Sequence, residues 1–374
     1  MTEKSEMVSL FLILWYTYVN IALGRDIGMN RMALVGLAFA VCFFTGCSAK
    51  PTNTNINKGM EQLEQMDYSG AMESFEAALV YKEDEQLIYR GEGLANMGLG
   101  NYEEAANCLL KSISYADGNV TNLEFDTNYY LATAYYKQGK YEEAEKIYTA
   151  IINLHKKETD AYYLRACTLL KEGYYEAAIK DFEKAFSLEP DNLELVTDAF
   201  LEMQEAGFGE EGKTYLQEFL TKKDKQLKDA QKGTIYFYLE DYANARTYLD
   251  GALNQGNPEV SLILGRTYEK LGDMNYAMVV YQTYLDSNAP DAAIYNSLGV
   301  CLMNQKKYQE ALEIFQAGID LGNTAHVQNL KYNQIVAKEY LGNFAEAKIL
   351  MQEYLSAYPD DSMAKQEYEF LQTR

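Results

Sequence analysis

Residues 131–151 read LATAYYKQGKYEEAEKIYTAI. A small residue, Ala132, is followed twelve positions later by Ala144; Tyr141 stands three places before that Ala and Tyr148 four places after it. Spacings of three and four put Tyr141, Ala144 and Tyr148 on one face of a helix. Gly139, just ahead of them, can enter the left-handed region without a Cβ penalty and so ends a preceding helix. The stretch therefore reads as two short helices closed by a tight turn.

The arrangement recurs nine times along the chain. Ala71, Ala105, Ala144, Ala178, Ala245, Ala277, Ala311 and Ala347 are the anchors, and Gly212 fills the remaining slot. Twelve residues before them stand Gly59, Gly93, Ala132, Ala166, Phe200, Gly233, Gly265, Gly299 and Ile335. Seven of these nine are Gly or Ala, which lets two helix backbones approach closely. Four residues after the anchors come Phe75, Leu109, Tyr148, Phe182, Leu216, Leu249, Tyr281, Phe315 and Met351. Turn glycines are expected at 100, 139, 173, 207, 272 and 342. Self-similarity at a period near 34 residues means a stack of helical hairpins, each burying a face against its neighbour.

These residues, and the segment from Tyr162 to Pro190 that ends AIKDFEKAFSLEP, resemble the tetratricopeptide repeat over roughly residues 52 to 360. The resemblance implies an all-α, right-handed α-solenoid of about nine hairpins with a C-terminal capping helix. The expected organisation is a signal or membrane segment at 1–46, a lipidated Cys and polar tether at 47–57, the solenoid at 58–360 and the capping helix at 361–374. In that last helix Met363, Phe370 and Leu371 are expected to cover the final apolar face. Two irregularities stand out. One interval, Ala105 to Ala144, is lengthened to 39 residues, and the fifth repeat has Phe200, Gly209 and Gly212 where small, aromatic and Ala residues are expected. The weakest packing is therefore expected between about 200 and 235.

The 374 residues include 33 Tyr but only 5 Pro and 1 Trp, and they carry a formal charge of −22. That charge argues against nucleic acid, whose phosphates require a basic stripe. One basic cluster exists, Lys222, Lys223, Lys225, Lys228 and Lys232, interspersed with Asp224 and Asp229. It reads chiefly as a solvated helix face.

Near the start, Arg31 precedes an apolar run from Ala33 to Phe44 and then Thr45-Gly46-Cys47. This resembles a bacterial lipoprotein signal peptide, which implies cleavage before Cys47 and lipid attachment to it. Phe44 departs from the Leu usual at that place. A second apolar stretch, Val8 to Gly24, leaves two readings open. Translation starts at Met29, giving Met29-Asn30-Arg31-Met32 as a basic lead-in, or Val8 to Gly24 is a transmembrane segment. Both put the repeats outside the cytoplasm in the bacterial cell envelope. Residues 1–46 hold three basic and three acidic groups, so the remainder keeps the full negative charge and is repelled by anionic lipid. Attachment then rests on covalent lipid, for which two acyl chains suffice.

A search for catalytic chemistry finds little. His155 and His326 lie in distant repeats, as do Cys108, Cys167 and Cys301, so neither a metal site nor a Ser-His-acid arrangement is assembled, and no enzyme activity or cofactor is expected. Glu103-Glu104 and Glu142-Glu143 stand at helix starts, where carboxylates meet the helix dipole favourably. Gly91-x-Gly93 lacks the strand that a phosphate loop needs. Binding remains. In the tetratricopeptide family the first helix of each hairpin lines the concave surface. By spacing, the candidates are Arg90, Tyr129, Thr133, Tyr136, Lys137, Tyr163 and Lys171, the richest stretch, with Tyr238, Arg266, Asn296, Tyr332 and Tyr340 beyond it. Cations among Tyr rings suit an extended or helical peptide. The Lys/Asn clamp of chaperone-tail-binding members has no counterpart at Arg90/Leu94 and Tyr129/Thr133. The expectation is a lipid-anchored scaffold for protein or peptide partners. The alternative is a structural component of envelope assembly, in outer-membrane protein insertion or pilus assembly.

Overall fold

The computed structural model describes residues 53–374 apart from 117, 119, 254–256, 323–325 and 360. The expected signal segment and Cys47 lie outside these residues. Among the described residues there are 19 α-helices and no strand. They form nine hairpins: α1 (Thr54–Glu64) with α2 (Tyr68–Val80), α3 (Glu85–Gly98) with α4 (Tyr102–Ser114), α5 (Asn122–Lys137) with α6 (Tyr141–Leu154), α7 (Thr159–Lys171) with α8 (Tyr175–Leu188) and α9 (Leu193–Glu205) with α10 (Gly209–Lys223). The series continues with α11 (Asp229–Tyr238) and α12 (Tyr242–Ala252), α13 (Pro258–Lys270) and α14 (Met274–Ser287), α15 (Ala292–Asn304) and α16 (Tyr308–Ile319), and α17 (Val327–Tyr340) and α18 (Phe344–Ala357). A final helix, α19 (Ser362–Gln372), follows. The chain divides into two compact units, one ending at Gly212 and one beginning at Lys213. The division falls where the repeat pattern breaks.

Three residues close every hairpin. In all nine, the amide of the third turn residue donates to a carbonyl five residues back, from Asp67 to Gln62 in the first hairpin through to Asn343 to Lys338 in the last. This bond satisfies a helix-end carbonyl and requires a left-handed residue between. The six expected glycines take that conformation, and Met66, Glu240 and Lys306 take it in the other three hairpins despite their Cβ atoms. A left-handed L-residue costs about 1–2 kcal/mol, part of which a Gly returns as extra unfolded-state entropy. Lys306→Gly should therefore raise stability by about 0.5–1 kcal/mol in denaturant titration. Gly173→Ala, at φ +83° with nothing within 4 Å of the added Cβ, should lower it by about 1 kcal/mol for conformational reasons alone.

The eight Ala anchors and all nine residues four places after an anchor are fully buried. The structure corrects the role of the small residue. It accommodates a side chain of the second helix first, with backbone close by at Gly233 and Gly93. A Cβ added to Gly299 would lie 2.2 Å from the Phe315 ring, one on Gly265 2.1 Å from Tyr281, and one on Gly93 2.6 Å from Leu109. Gly91 does the same between hairpins, where a Cβ would meet the Phe75 ring at 2.3 Å, so Gly91-x-Gly93 is a double packing notch. The fifth repeat inverts the sizes. Phe200 is buried at the small position, and Gly212 makes room for it: a Cβ there would lie 3.1 Å from the Phe200 ring.

The residue three before each anchor is the first of its helix, and several of the aromatic ones reach toward the following hairpin. Tyr175 stacks on Phe208 at 3.9 Å and Tyr308 on Tyr340 at 4.9 Å, while a Cβ on Gly98 would touch the Tyr68 ring at 2.3 Å. At the front, the structure starts α1 at Thr54, so residues 54–57, expected to belong to a polar tether, are its first turn. The cause is long-range. Glu83 is buried and accepts bonds from the Asn55 amide at 3.1 Å, the Asn55 side chain at 2.7 Å and the Ile56 amide at 3.0 Å, and Ile56 is buried with it. A carboxylate thus satisfies amides left over at a helix N-terminus. At the far end α19 buries Ala364 and Leu371, and Phe370 meets Phe344 edge-on at 6.4 Å. Met363 is 67% exposed, against expectation, because it lies off the Ala364–Leu371 stripe.

Candidate functional site

The seven residues expected to hold a peptide sit on α3, α5 and α7, in the first unit. Arg90 of α3 forms an ion pair with Asp126 of α5, and its guanidinium lies 5.7 Å from the Tyr130 ring centroid. The same seam carries a bond of 2.6 Å from the Gln86 amide to Glu124. Burial would raise the Glu124 carboxyl, but bonds from Thr121 and Gln86 hold it below its ordinary range. Lys137 lies 5.8 Å over the Tyr102 ring, and Lys171 forms an ion pair with Glu205 of α9. Tyr129 packs edge-on to Phe125 at 5.5 Å and tilted to Tyr148 at 6.3 Å.

The other three are interior. Thr133, Tyr136 and Tyr163 are 3%, 0% and 5% exposed. The Thr133 hydroxyl lies 3.5 Å from that of Tyr148, Tyr136 packs edge-on to Tyr141 at 5.5 Å, and Tyr163 tilts against Phe182 at 5.9 Å. Burial raises the pKa of both Tyr136 and Tyr163 far above the ordinary phenol value, so both stay neutral. The reason lies in α7, which buries ten of its 13 residues and so is covered on nearly all sides. Arg90, Tyr129, Lys137 and Lys171 remain half-buried. Three of the seven expected groove residues are thus used in packing, and the cations Arg90, Lys137 and Lys171 lie against carboxylates or rings.

Sequence reading missed the network beside this seam. Arg165 of α7 donates to both carboxylate oxygens of Asp181 of α8, at 2.6 and 2.8 Å, and to the Thr149 hydroxyl of α6 at 2.9 Å. Thr149 in turn donates to Glu145 at 3.1 Å. The detectable signal was a charged residue at an inward position: Arg165 adjoins Ala166, and Asp181 adjoins Phe182.

The second unit holds the remaining candidates. Arg266 is exposed on α13, and half-buried Asn296 of α15 accepts a bond of 2.9 Å from Asn333 of α17. Tyr332 of α17 is half-buried against Tyr354 at 5.9 Å, and Tyr340 is exposed at the end of the same helix. Tyr238 is half-buried.

Remaining reactive groups are distributed apart. Cys108, Cys167 and Cys301 are buried free thiols, and burial pushes Cys108 up to about 12, which keeps it an unreactive thiol. His155 stacks on Phe125 at 4.5 Å with Nδ1 3.2 Å from Glu158. Among the described residues no group of three or more His, Cys, Asp or Glu could hold a metal ion, and no helix is long and apolar enough to cross a membrane.

Residues 56–116 and 279–326 match one tetratricopeptide repeat family model, 126–157 a second and 159–192 a third. Over 92 residues the sequence is 28% identical to the anaphase-promoting complex subunit CDC16 of Saccharomyces cerevisiae, a match to 22% of this chain and 11% of that protein. The chain thus spans about a tenth of the length of that curated relative. Among solved structures, a tetratricopeptide repeat protein of Parabacteroides merdae aligns with 68% of this chain and 98% of its own at 16% identity, with a TM-score of 0.44. YrrB, a tetratricopeptide repeat protein with an unusual peptide-binding site, aligns with 59% of this chain and 97% of its own at 21% identity and a TM-score of 0.33. Residues 56–116, 126–157, 159–192 and 279–326 are therefore tetratricopeptide repeats, and the helices between and after them continue as hairpins.

Proposed function

We propose that the protein is a lipid-anchored scaffold that holds its repeats outside the cytoplasm and binds protein or peptide partners through the first helices of its hairpins. The observation that carries the reading is the division of labour within each repeat. Anchors, small residues and the apolar residues four places on are consumed by packing, and what a repeat leaves to solvent are helix faces suited to docking. Arg31, the run from Ala33 to Phe44 and Cys47 support the anchor.

Because Thr133, Tyr136 and Tyr163 are buried, the partner is assigned to the second unit, with exposed Arg266 and half-buried Asn296 among its contacts. Two measurements test the reading. Mass spectrometry of the mature N-terminus should find an acylated Cys47 at residue one, and Cys47→Ala should abolish both acylation and membrane fractionation. Crosslinking in intact membranes should then capture a protein partner that is lost in the Arg266→Ala/Asn296→Ala double variant and kept in Lys222→Ala. An unprocessed N-terminus sinks the anchor, and undiminished crosslinking in the double variant sinks the assigned face. Capture of an outer-membrane insertion or pilus component would select the envelope-assembly role.

A further inference from the structure

We propose that the first unit rests one edge on the bilayer: Val80, Tyr81, Tyr115, Val120 and Leu154 sit in the headgroup layer of the membrane to which Cys47 is anchored. The proposal rests on that anchor.

Antiparallel packing builds the edge. Within a hairpin the first helix starts where the second one ends, so the loops between hairpins lie on one edge and the hairpin turns on the other. Contacts run along the loop edge from hairpin to hairpin. Glu83, just past α2, takes the amides at the start of α1. The Ser112 hydroxyl near the end of α4 donates to the Gln86 carbonyl at 2.8 Å, and the Gln86 side-chain amide donates to Glu124 near the start of α5 at 2.6 Å. Phe125 of α5 then stacks on His155, just past α6, at 4.5 Å.

This edge exposes apolar side chains that no hairpin covers. Val80 is 78% exposed and Tyr81 72%, the highest values for large apolar side chains among the described residues, and Tyr115, Val120 and Leu154 are exposed along the same edge. Such a concentration marks an interaction surface. Lys82, Lys111 and Lys156 stand exposed among them. Tyr rings and Lys stems, each an apolar body with a polar tip, settle at membrane interfaces. Exposed Asp84 and Glu85 offset these cations, so apolar contact rather than charge is what the edge offers a bilayer.

The length of chain before α1 selects a bilayer over another protein. With α1 starting at Thr54, only residues 48–53 separate Cys47 from the helix. Six residues span about 20 Å when extended and about 13 Å as a flexible coil. The N-terminus of α1 lies on the loop edge beside Glu83, so that edge is the one held close to the membrane. The opposite edge also exposes Met66, Leu99 and Tyr174, but it lies a further helix length away, about 15–20 Å. The anchor therefore brings the loop edge down first.

A Trp reporter tests the edge. The sequence has a single Trp, Trp15, ahead of Cys47, so the processed chain has none. Processed chains carrying Tyr81→Trp or Tyr174→Trp are reconstituted with phosphatidylcholine vesicles, with or without brominated acyl chains, and flotation with the vesicles is scored in the same samples. Brominated lipid should quench the Tyr81→Trp fluorescence about twofold or more and leave that of Tyr174→Trp nearly unchanged. Adding Val80→Glu and Leu154→Glu to Tyr81→Trp should remove most of the quenching while flotation persists. Floating chains with no quenching in Tyr81→Trp, with equal quenching in both reporters, or with quenching undiminished by the two Glu substitutions overturn the edge and leave the anchor standing. Chains that fail to float overturn the anchor and the edge with it.

Discussion

Replacing Gly299 with Phe should unfold the eighth hairpin, and adding Ala311→Gly and Phe315→Leu to the same chain should restore part of what was lost. A single Cβ at Gly299 already comes within 2.2 Å of the fully buried Phe315 ring, so a whole benzyl group has nowhere to go. Overpacking of this kind costs about 3 kcal/mol or more, a large share of the stability a hairpin adds. The fifth repeat shows how a Phe at the small position can be accommodated. There Phe occupies the small position at 200, Gly the anchor at 212 and Leu the following position at 216, and both Phe200 and Leu216 are buried. The triple variant copies that arrangement into the eighth repeat with about three more side-chain carbons than wild type, so it should recover part of the loss and lie about 1–3 kcal/mol below wild type. Denaturant titration of the three chains decides it. If the triple variant is no more stable than Gly299→Phe, the three positions do not form one exchangeable packing unit.

The repeat was legible because its cues are local and coincide. A small residue, a turn glycine, an aromatic and an Ala fall within sixteen residues, and each has a single structural use that the next occurrence repeats. Tyrosine is less informative. Its ring suits a core and its hydroxyl suits a surface, so the same residue type served at Tyr340, exposed, and at Tyr136, fully buried. Which use applies depends on how closely the next first helix packs, and nothing within the Tyr136 repeat records that α7 is enclosed. The start of α1 escaped notice for a related reason. A polar run, TNIN, reads as tether until a carboxylate 28 residues away, Glu83, receives its amides. Inverted sizes in the fifth repeat were visible as a departure from the pattern. Their compensation was not, because a glycine at an anchor looks like a defect until the ring that fills it is placed.

Arg165→Met should be the most damaging single change in the first unit, at about 3 kcal/mol or more. Asp181 is 9% exposed at its side chain and both its oxygens are bonded to that guanidinium, so removing Arg165 strands a buried charge. The loss spreads beyond the pair, since Thr149 also gives up the donor that ties α6 to α7. Asp181→Leu should cost a similar amount for the mirror-image reason, leaving a cation in the interior with only Thr149 to accept from it. The informative variant is the double one, Arg165→Met/Asp181→Leu. Desolvating two charges is expensive, so an apolar pair of matching volume can be as stable as the ion pair it replaces. The double variant should therefore be more stable than either single one, with a coupling energy above about 1.5 kcal/mol. Costs that simply add would mean that each side chain is stabilised by separate neighbours and that the bidentate bond contributes little. A large coupling would mean that Arg165 and Asp181 act together as a cross-brace between α7 and α8, holding the most enclosed first helix of the unit in register.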